Sequence, residues 1–193
     1  MSEDQNLLAG VADRDPEVFR TLMEGYAGGV FNLAYRFLGT RADAEDIAQD
    51  VFLRLYQHPP SLDIQTKLFT WLYRVTVNRC LDLLRQKSRR PASISLDAPV
   101  DPAEMEGQTL AERIEDPAQR NPRERVAQMD RMAAVRKGIE LLPLELRAPL
   151  ILAAIEELPH EEIARILSLS PKAVERRIAR ARQLLKQRLS SYL

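Results

Sequence analysis

The chain has 193 residues, 45% hydrophobic and 29% charged, with 28 basic and 28 acidic side chains and a formal net charge of zero. The single cysteine, Cys80, excludes an intramolecular disulfide, and with only His58 and His160 beside it no zinc cage can be assembled. The opening "MSEDQNLLAG" lacks the order of a secretory signal, and no apolar run approaches the roughly 20 residues that cross a bilayer. A cytoplasmic protein with no cofactor, no metal and no membrane insertion is therefore expected.

The zero total conceals blocks of charge. Residues 1–60 carry 5 basic and 10 acidic side chains, 61–90 carry 7 and 2, 91–130 carry 4 and 9, and 172–193 carry 7 and 1. Two basic blocks separated by an acidic stretch suit two contacts with one polyanion.

Strand signals are almost absent, and the recurring period is helical. Phe19, Leu22, Tyr26, Val30, Leu33 and Phe37 predict a hairpin or bent helix, weakened in its middle by Gly25, Gly28 and Gly29. Next, Ala44, Ile47, Ala48, Val51, Phe52 and Leu55 form one apolar stripe, with Asp43 placed as the N-cap. Asp43, Asp46 and Asp50 share the opposite face, which hydration alone can explain. Leu68, Leu72, Val75, Leu81 and Leu84 predict a second long helix on which Trp71, Arg74, Asn78 and Arg85 share a face. Aromatic, amide and guanidinium groups together suit unstacked bases and phosphates. The competing reading places Trp71 in the core.

Between about Ser88 and Gln128 the pattern fails. "RRPASISLDAPVDPAEMEGQTLAERIEDPAQRNP" has five prolines and surplus acids, and reads as a linker with a short helix near Leu110 to Ile114. Periodicity resumes at Val126, Met129, Met132, Val135, Ile139 and Leu142. Pro143 and Pro159 punctuate short helices, and Pro149 falls near the start of one. The expected fold is all-α: two small helical domains, 1–90 and 126–193, joined by a flexible acidic linker, 91–125.

"LPHEEIARILSLSPKAVERRIARAR" has the grammar of a helix-turn-helix. A short helix from His160 to Leu167 buries Ile163, Ala164 and Leu167. "SLS" turns, with Ser168 where glycine would be easier, Ser170 caps, and Pro171 opens the next helix. That helix buries Val174, Ile178, Ala181 and Leu185, so Lys172, Arg176 and Arg180 face elsewhere, while Arg177, Arg182, Lys186 and Arg188 lie on the flanks. A helix of this kind fits a major groove, where arginine bonds guanine and the flanking cations meet phosphate. A solvated basic helix is the alternative.

"DAEDIAQDVFLRLY", "FTWLYRVTVNRCLDLLR" and "LPHEEIARILSLSPKAVERRIARARQLL", in that order and around that linker, resemble the extracytoplasmic-function (ECF, group 4) sigma factors of the sigma-70 family. The resemblance implies a promoter-recognising subunit of bacterial RNA polymerase. It implies that the helix carrying Asp43, Asp46, Gln49 and Asp50 docks on the β′ clamp helices. It implies that Ser61, Leu62, Asp63, Gln65, Thr66 and Lys67, with Trp71, Arg74, Asn78 and Arg85, read and open the −10 element. It also implies that Ser170, Lys172, Glu175, Arg176, Arg177, Ala179, Arg180 and Arg182 meet the −35 element. Glu175 departs from the basic residue often found there, and can accept a bond from cytosine. The implied partners are core RNA polymerase (β′ and β), promoter DNA and an anti-sigma factor.

Two rivals stand beside this reading. A DNA-binding regulator acting without polymerase leaves the acidic and Trp71 faces without a task. A sigma-mimicking adaptor does not need Arg176 and Arg180. An enzyme is not expected, because no nucleophile with its base, phosphate-cradling glycine loop or metal-ligand cluster is found.

Overall fold

The structure, a computed structural model, describes residues 3–60, 67–89 and 122–190. Among them are eight helices and no strand: α1 (Glu3–Ala12), α2 (Pro16–Leu38), α3 (Arg41–Gln57), α4 (Leu68–Arg89), α5 (Pro122–Glu140), α6 (Leu144–Ala154), α7 (His160–Leu167) and α8 (Pro171–Leu189). The chain is all-α in two groups. In α1–α4, α2 packs on α3 and α4; in α5–α8, α8 packs on the other three. The groups also touch, α7 lying against α4 and α6 against α2.

α2 begins where Asp15 accepts hydrogen bonds from the backbone N–H groups of Glu17 (2.9 Å) and Val18 (3.4 Å), with Pro16 at its first position. It ends at Gly39, whose φ of 77° is the left-handed cap glycine favours. Between these signals the helix is continuous, so the hairpin that its glycines suggest is not formed. Each interior glycine costs about 1 kcal/mol. Burial of Leu22, Val30, Leu33, Ala34 and Phe37, at about 1.5–3 kcal/mol per large side chain, outweighs that cost. Gly29 has a packing reason as well: a Cβ there would stand 3.3 Å from the Tyr73 hydroxyl.

α3 starts at Arg41 with Thr40 as its N-cap residue, so Asp43 is not the cap. It sits in the first turn of the helix, where its carboxylate accepts from the Thr40 hydroxyl. The stripe Ala44, Ile47, Val51, Phe52 and Leu55 is buried as its spacing requires. α1 was not anticipated, although Leu8 and Val11 supply a short apolar face and are buried. Its Asp4 accepts from the Leu68 N–H (2.9 Å), satisfying a donor at the start of α4.

α5 begins at Pro122, inside the stretch 91–125 expected as linker; the proposed helix near residues 110–114 lies outside the described residues. Pro149 is the sixth residue of α6 rather than near its start. It removes one intrahelical donor, yet the helix continues because Leu146, Leu150, Ile151 and Leu152 are buried around it. Arg147 is also buried and donates to the carbonyls of Glu140 and Leu142, tying the end of α5 to α6. Burial pulls its guanidinium pKa below the usual value, against the opposing charge of Glu140.

The buried side chains of both groups form a continuous apolar cluster, running from Leu22, Leu33 and Val51 through Leu72 and Val77 to Ile151, Ile163 and Ile166. A smaller cluster of Leu142, Leu146, Leu150 and Ala181 seats α8 on α5 and α6.

Candidate nucleic-acid and polymerase surfaces

The C-terminal surface is built by two caps and a strained turn. α7 ends at Ser168, held left-handed at φ 54° and ψ 47°. Ser170 then caps α8, its hydroxyl oxygen accepting from Ala173 N–H at 3.2 Å, and Pro171 takes the first helical position. α7 buries Ile163, Ala164 and Ile166, while Leu167 is half-buried, so the third core residue is one position earlier than its spacing suggested. On α8, Val174, Ile178 and Ala181 are buried and Leu185 is half-buried.

That anchoring turns Lys172, Glu175, Arg176, Ala179 and Arg180 outward on an exposed face, with Ser170 and Arg182 exposed beside it and Arg177 half-buried. Arg180 donates to the Gln183 side chain at 3.0 Å, an exposed bond that DNA could replace. The structure therefore leaves every residue of that set exposed except Arg177.

The α4 set is less uniform. Lys67, Asn78 and Arg85 are exposed, Arg85 pairing with Asp82 at 2.9 Å. Trp71 is half-buried and packs against the core, so the core reading holds in part. Arg74 is half-buried and donates to the backbone carbonyl of Arg165 on α7, leaving its Nε buried without a partner among the described residues. Ser61, Leu62, Asp63, Gln65 and Thr66 lie outside the described residues.

On α3 the acidic residues divide by their partners. Asp43 is paired with Lys87 and Asp50 with Arg79, both from α4. Burial pushes the Asp43 carboxyl upward, but hydrogen bonds from Lys87 and Thr40 outweigh it and hold the pKa below the ordinary value. Asp46 and Gln49 are exposed. Leu53, 53% exposed, and Tyr56 continue their face at helical spacing. Tyr56 makes an edge contact with Phe19, and Met23 is another exposed apolar residue of α2. The sequence reading missed Leu53 and Tyr56; their signal was two large apolar residues off the buried stripe of an otherwise polar face.

Comparison with known proteins identifies the family. Residues 22–90 match the family Sigma-70 region 2, and residues 132–185 match Sigma-70, region 4. The ECF RNA polymerase sigma factor SigW of Bacillus subtilis is 34% identical over 175 residues, 91% of this chain and 90% of that protein. The chain belongs to the ECF RNA polymerase sigma factors.

The ECF RNA polymerase sigma-E factor of Escherichia coli K12 is 31% identical, spanning 94% of this sigma factor and 92% of its own length. The RNA polymerase sigma-H factor of Pseudomonas aeruginosa is 30% identical, spanning 99% and 96%. Among solved structures, CnrH in complex with the cytosolic domain of CnrY shares the fold, with a TM-score of 0.67 at 24% identity over 98% of this chain and 99% of that one. This sigma factor accordingly binds core RNA polymerase, recognises −35 and −10 promoter elements and promotes strand opening for transcription initiation. Its relatives form a family of transcription factors rather than enzymes. Among the described residues, no helix is long and apolar enough to cross a membrane.

Proposed function

We propose that the sigma factor divides its work among three surfaces. The exposed α8 face reads the −35 duplex: Lys172, Glu175, Arg176, Ala179 and Arg180 meet base edges, while Ser170, Arg177 and Arg182 contact phosphate. Residues 61–66 and Lys67 act with Trp71, Arg74, Asn78 and Arg85 at the −10 element. Asp46, Gln49, Leu53 and Tyr56 dock on the β′ clamp helices, with Asp43 and Asp50 shaping that surface through their pairs with α4. Residues 1–90 thus serve polymerase binding and melting, and the C-terminal group, beginning with α5, serves the −35 element. Residues 91–125 are the tether, apart from the first turn of α5. The protein acts in the cytoplasm, where polymerase and promoters are, without catalytic chemistry of its own. A sigma factor named RpoE, of similar fold, has been solved with the anti-sigma factor NepR from Bartonella quintana, and a partner of that kind is proposed here.

The observation that carries this division is the outward face of α8, fixed by its cap and its buried stripe. Purified protein added to core polymerase should open a cognate promoter, read by permanganate reactivity of unpaired thymines. Binding to core with no opening would favour the adaptor, and duplex binding that core does not change would favour the plain regulator.

A further inference from the structure

The family match begins at residue 22, so it gives α1 no task. The attachment of α1 is nevertheless stiff. It ends in a closed turn: the Asp15 N–H donates to the Gly10 carbonyl at 2.9 Å and the Arg14 N–H to the Val11 carbonyl at 3.1 Å, with Arg14 left-handed at φ 58°. Asp15 then caps α2, so only Asp13, Arg14 and Asp15 separate the two helices. At Gly10 a Cβ would stand 2.7 Å from a methyl of Val18, so any larger residue would push α1 off α2. Leu8 and Val11 are buried in the same apolar cluster as Leu68 and Leu72 of α4.

The other end of α1 supplies what α4 lacks. α4 has no acidic residue in its first turn. The residue before it is Lys67, whose side chain has no acceptor and whose charge opposes the positive end of the helix dipole. α2 and α8 are capped by their own Asp15 and Ser170. For α4 the acceptor comes from 64 residues away: the half-buried Asp4 carboxylate takes the Leu68 N–H at 2.9 Å. Leu68 is 0% exposed, so that donor depends on Asp4 rather than on water. A local cap would have to stand at position 67, where the chain keeps an exposed cation instead. Drawing the acceptor from α1 gives the helix start both a cap and a lysine. The Trp71 N–H donates to the Lys67 carbonyl at 3.3 Å, so the capped turn carries both side chains.

We propose that Asp4 is a positioning residue for −10 recognition: from α1 it fixes the first turn of α4, and with it Lys67 and Trp71, in the orientation that captures the −10 strand. This rests on the assignment of Lys67 and Trp71 to the −10 surface made above. Core docking on α3 and −35 reading on α8 do not pass through Asp4. The test uses the full chain. Asp4→Ala removes the acceptor, and Asp4→Asn keeps one.

In the free chain, hydrogen exchange at the Leu68 amide should quicken about tenfold in Asp4→Ala, the effect of losing one helix cap, and stay near wild type in Asp4→Asn. In holoenzyme, opening is read by permanganate at thymines near the start site. On a promoter with an intact −10 element it should fall about five- to tenfold in Asp4→Ala, and less than about twofold where that element carries transversions. Selectivity thus narrows, which a uniform loss of folded protein cannot produce. Affinities for core and for a −35 duplex should change less than about twofold, and Asp4→Asn should recover most of the selectivity. Unchanged exchange at Leu68 in Asp4→Ala would overturn the cap. Faster exchange with unchanged selectivity, or an equal loss on both promoters, would overturn the positioning role. Lys67→Ala tests the reading beneath. Narrowed selectivity there supports it, whereas wild-type selectivity beside a narrowed Asp4→Ala removes Lys67 from the −10 surface and leaves Asp4 acting through the rest of the turn.

Discussion

Asp50 of α3 is paired with Arg79 of α4, whereas Asp46, one turn earlier on the same helix, is exposed and makes no ion pair among the described residues. Two acids that look equivalent in the sequence therefore have different surroundings, and under the proposed docking surface different tasks. Asp46→Lys should weaken binding to core polymerase about tenfold, equivalent to about 1.4 kcal/mol, without moving the thermal midpoint. Asp50→Ala removes a partly exposed pair worth about 0.2–1 kcal/mol, and should lower the midpoint by about 1–3 °C. Competition against a labelled wild-type chain for core, run beside thermal melts, separates the two effects. Equal losses of core affinity would mean that the Arg79 pair does not withhold Asp50 from the docking surface.

Asp43 makes stability depend on pH in a defined direction. Its pKa is depressed in the folded state, because the Lys87 and Thr40 bonds outweigh the upward push of burial. A depressed carboxylate contributes stability above its unfolded pKa and loses it as pH falls through the folded one. Asp43→Asn should therefore cost about 1 kcal/mol at neutral pH, and the gap should close as pH drops below about 4. Urea unfolding of both chains across that range measures it; a gap independent of pH would remove the ion pair as its source.

Cys80 should be inert in the native chain. The side chain is fully buried, and burial, aided by the nearby Asp43 charge, pushes the thiol up to about 12. At pH 8 the thiolate fraction then falls roughly a thousandfold below that of a free cysteine. Iodoacetamide should label it only as fast as the protein unfolds, so labelling and unfolding rates should coincide across a urea series. Rapid labelling without urea would show an opening that reaches α4.

Much of this fold is legible in the sequence, because amphipathic stripes report the face that must be buried. The α3 stripe and the exposed α8 face follow directly from spacing and a capping serine. α1 was missed because its apolar set is short, and α2 was misjudged because glycines weaken a helix locally while packing acts over its whole length. The contact between the two helix groups is invisible for a different reason: Arg36 and Glu156 are 120 residues apart, and nothing local marks either as more than a surface charge. The same holds for Lys87 and Asp43, whose pairing needs the α3–α4 packing already in place. Leu53 and Tyr56 were legible, as apolar residues on the wrong face of a predicted helix.

Ser168 holds a left-handed conformation that costs an L-residue roughly 1–2 kcal/mol. Glycine avoids that cost but gives up about 0.5–1 kcal/mol of backbone entropy. Ser168→Gly should therefore stabilise the protein by about 0.5–1 kcal/mol, while Ser168→Val should destabilise it. Chemical denaturation checks both. A destabilised glycine variant would mean that the exposed serine side chain contributes to the turn beyond its backbone.

If the α8 surface separates base reading from backbone grip as proposed, the two should respond differently to substitution. Arg176 sits on the exposed face little more than one turn from the helix start, and its proposed task is to bond a guanine edge. Arg176→Ala should cost about 1–3 kcal/mol on the preferred −35 sequence and relax selection at one position. Arg182→Ala should weaken all sequences alike and reduce the salt slope by about one. Glu175 offers the opposite chemistry, an acceptor among cations, and can take the amino group of cytosine or orient a neighbouring arginine. Selection from a promoter library randomised in the −35 element, using holoenzyme, distinguishes these roles. If Glu175 meets the base, Glu175→Arg should shift the preferred base from cytosine to guanine at a position adjacent to that read by Arg176. If it only orients an arginine, the preferred sequence should stay the same and become less sharply selected. An unchanged and equally sharp preference would remove Glu175 from the reading set and leave specificity to Lys172, Arg176 and Arg180.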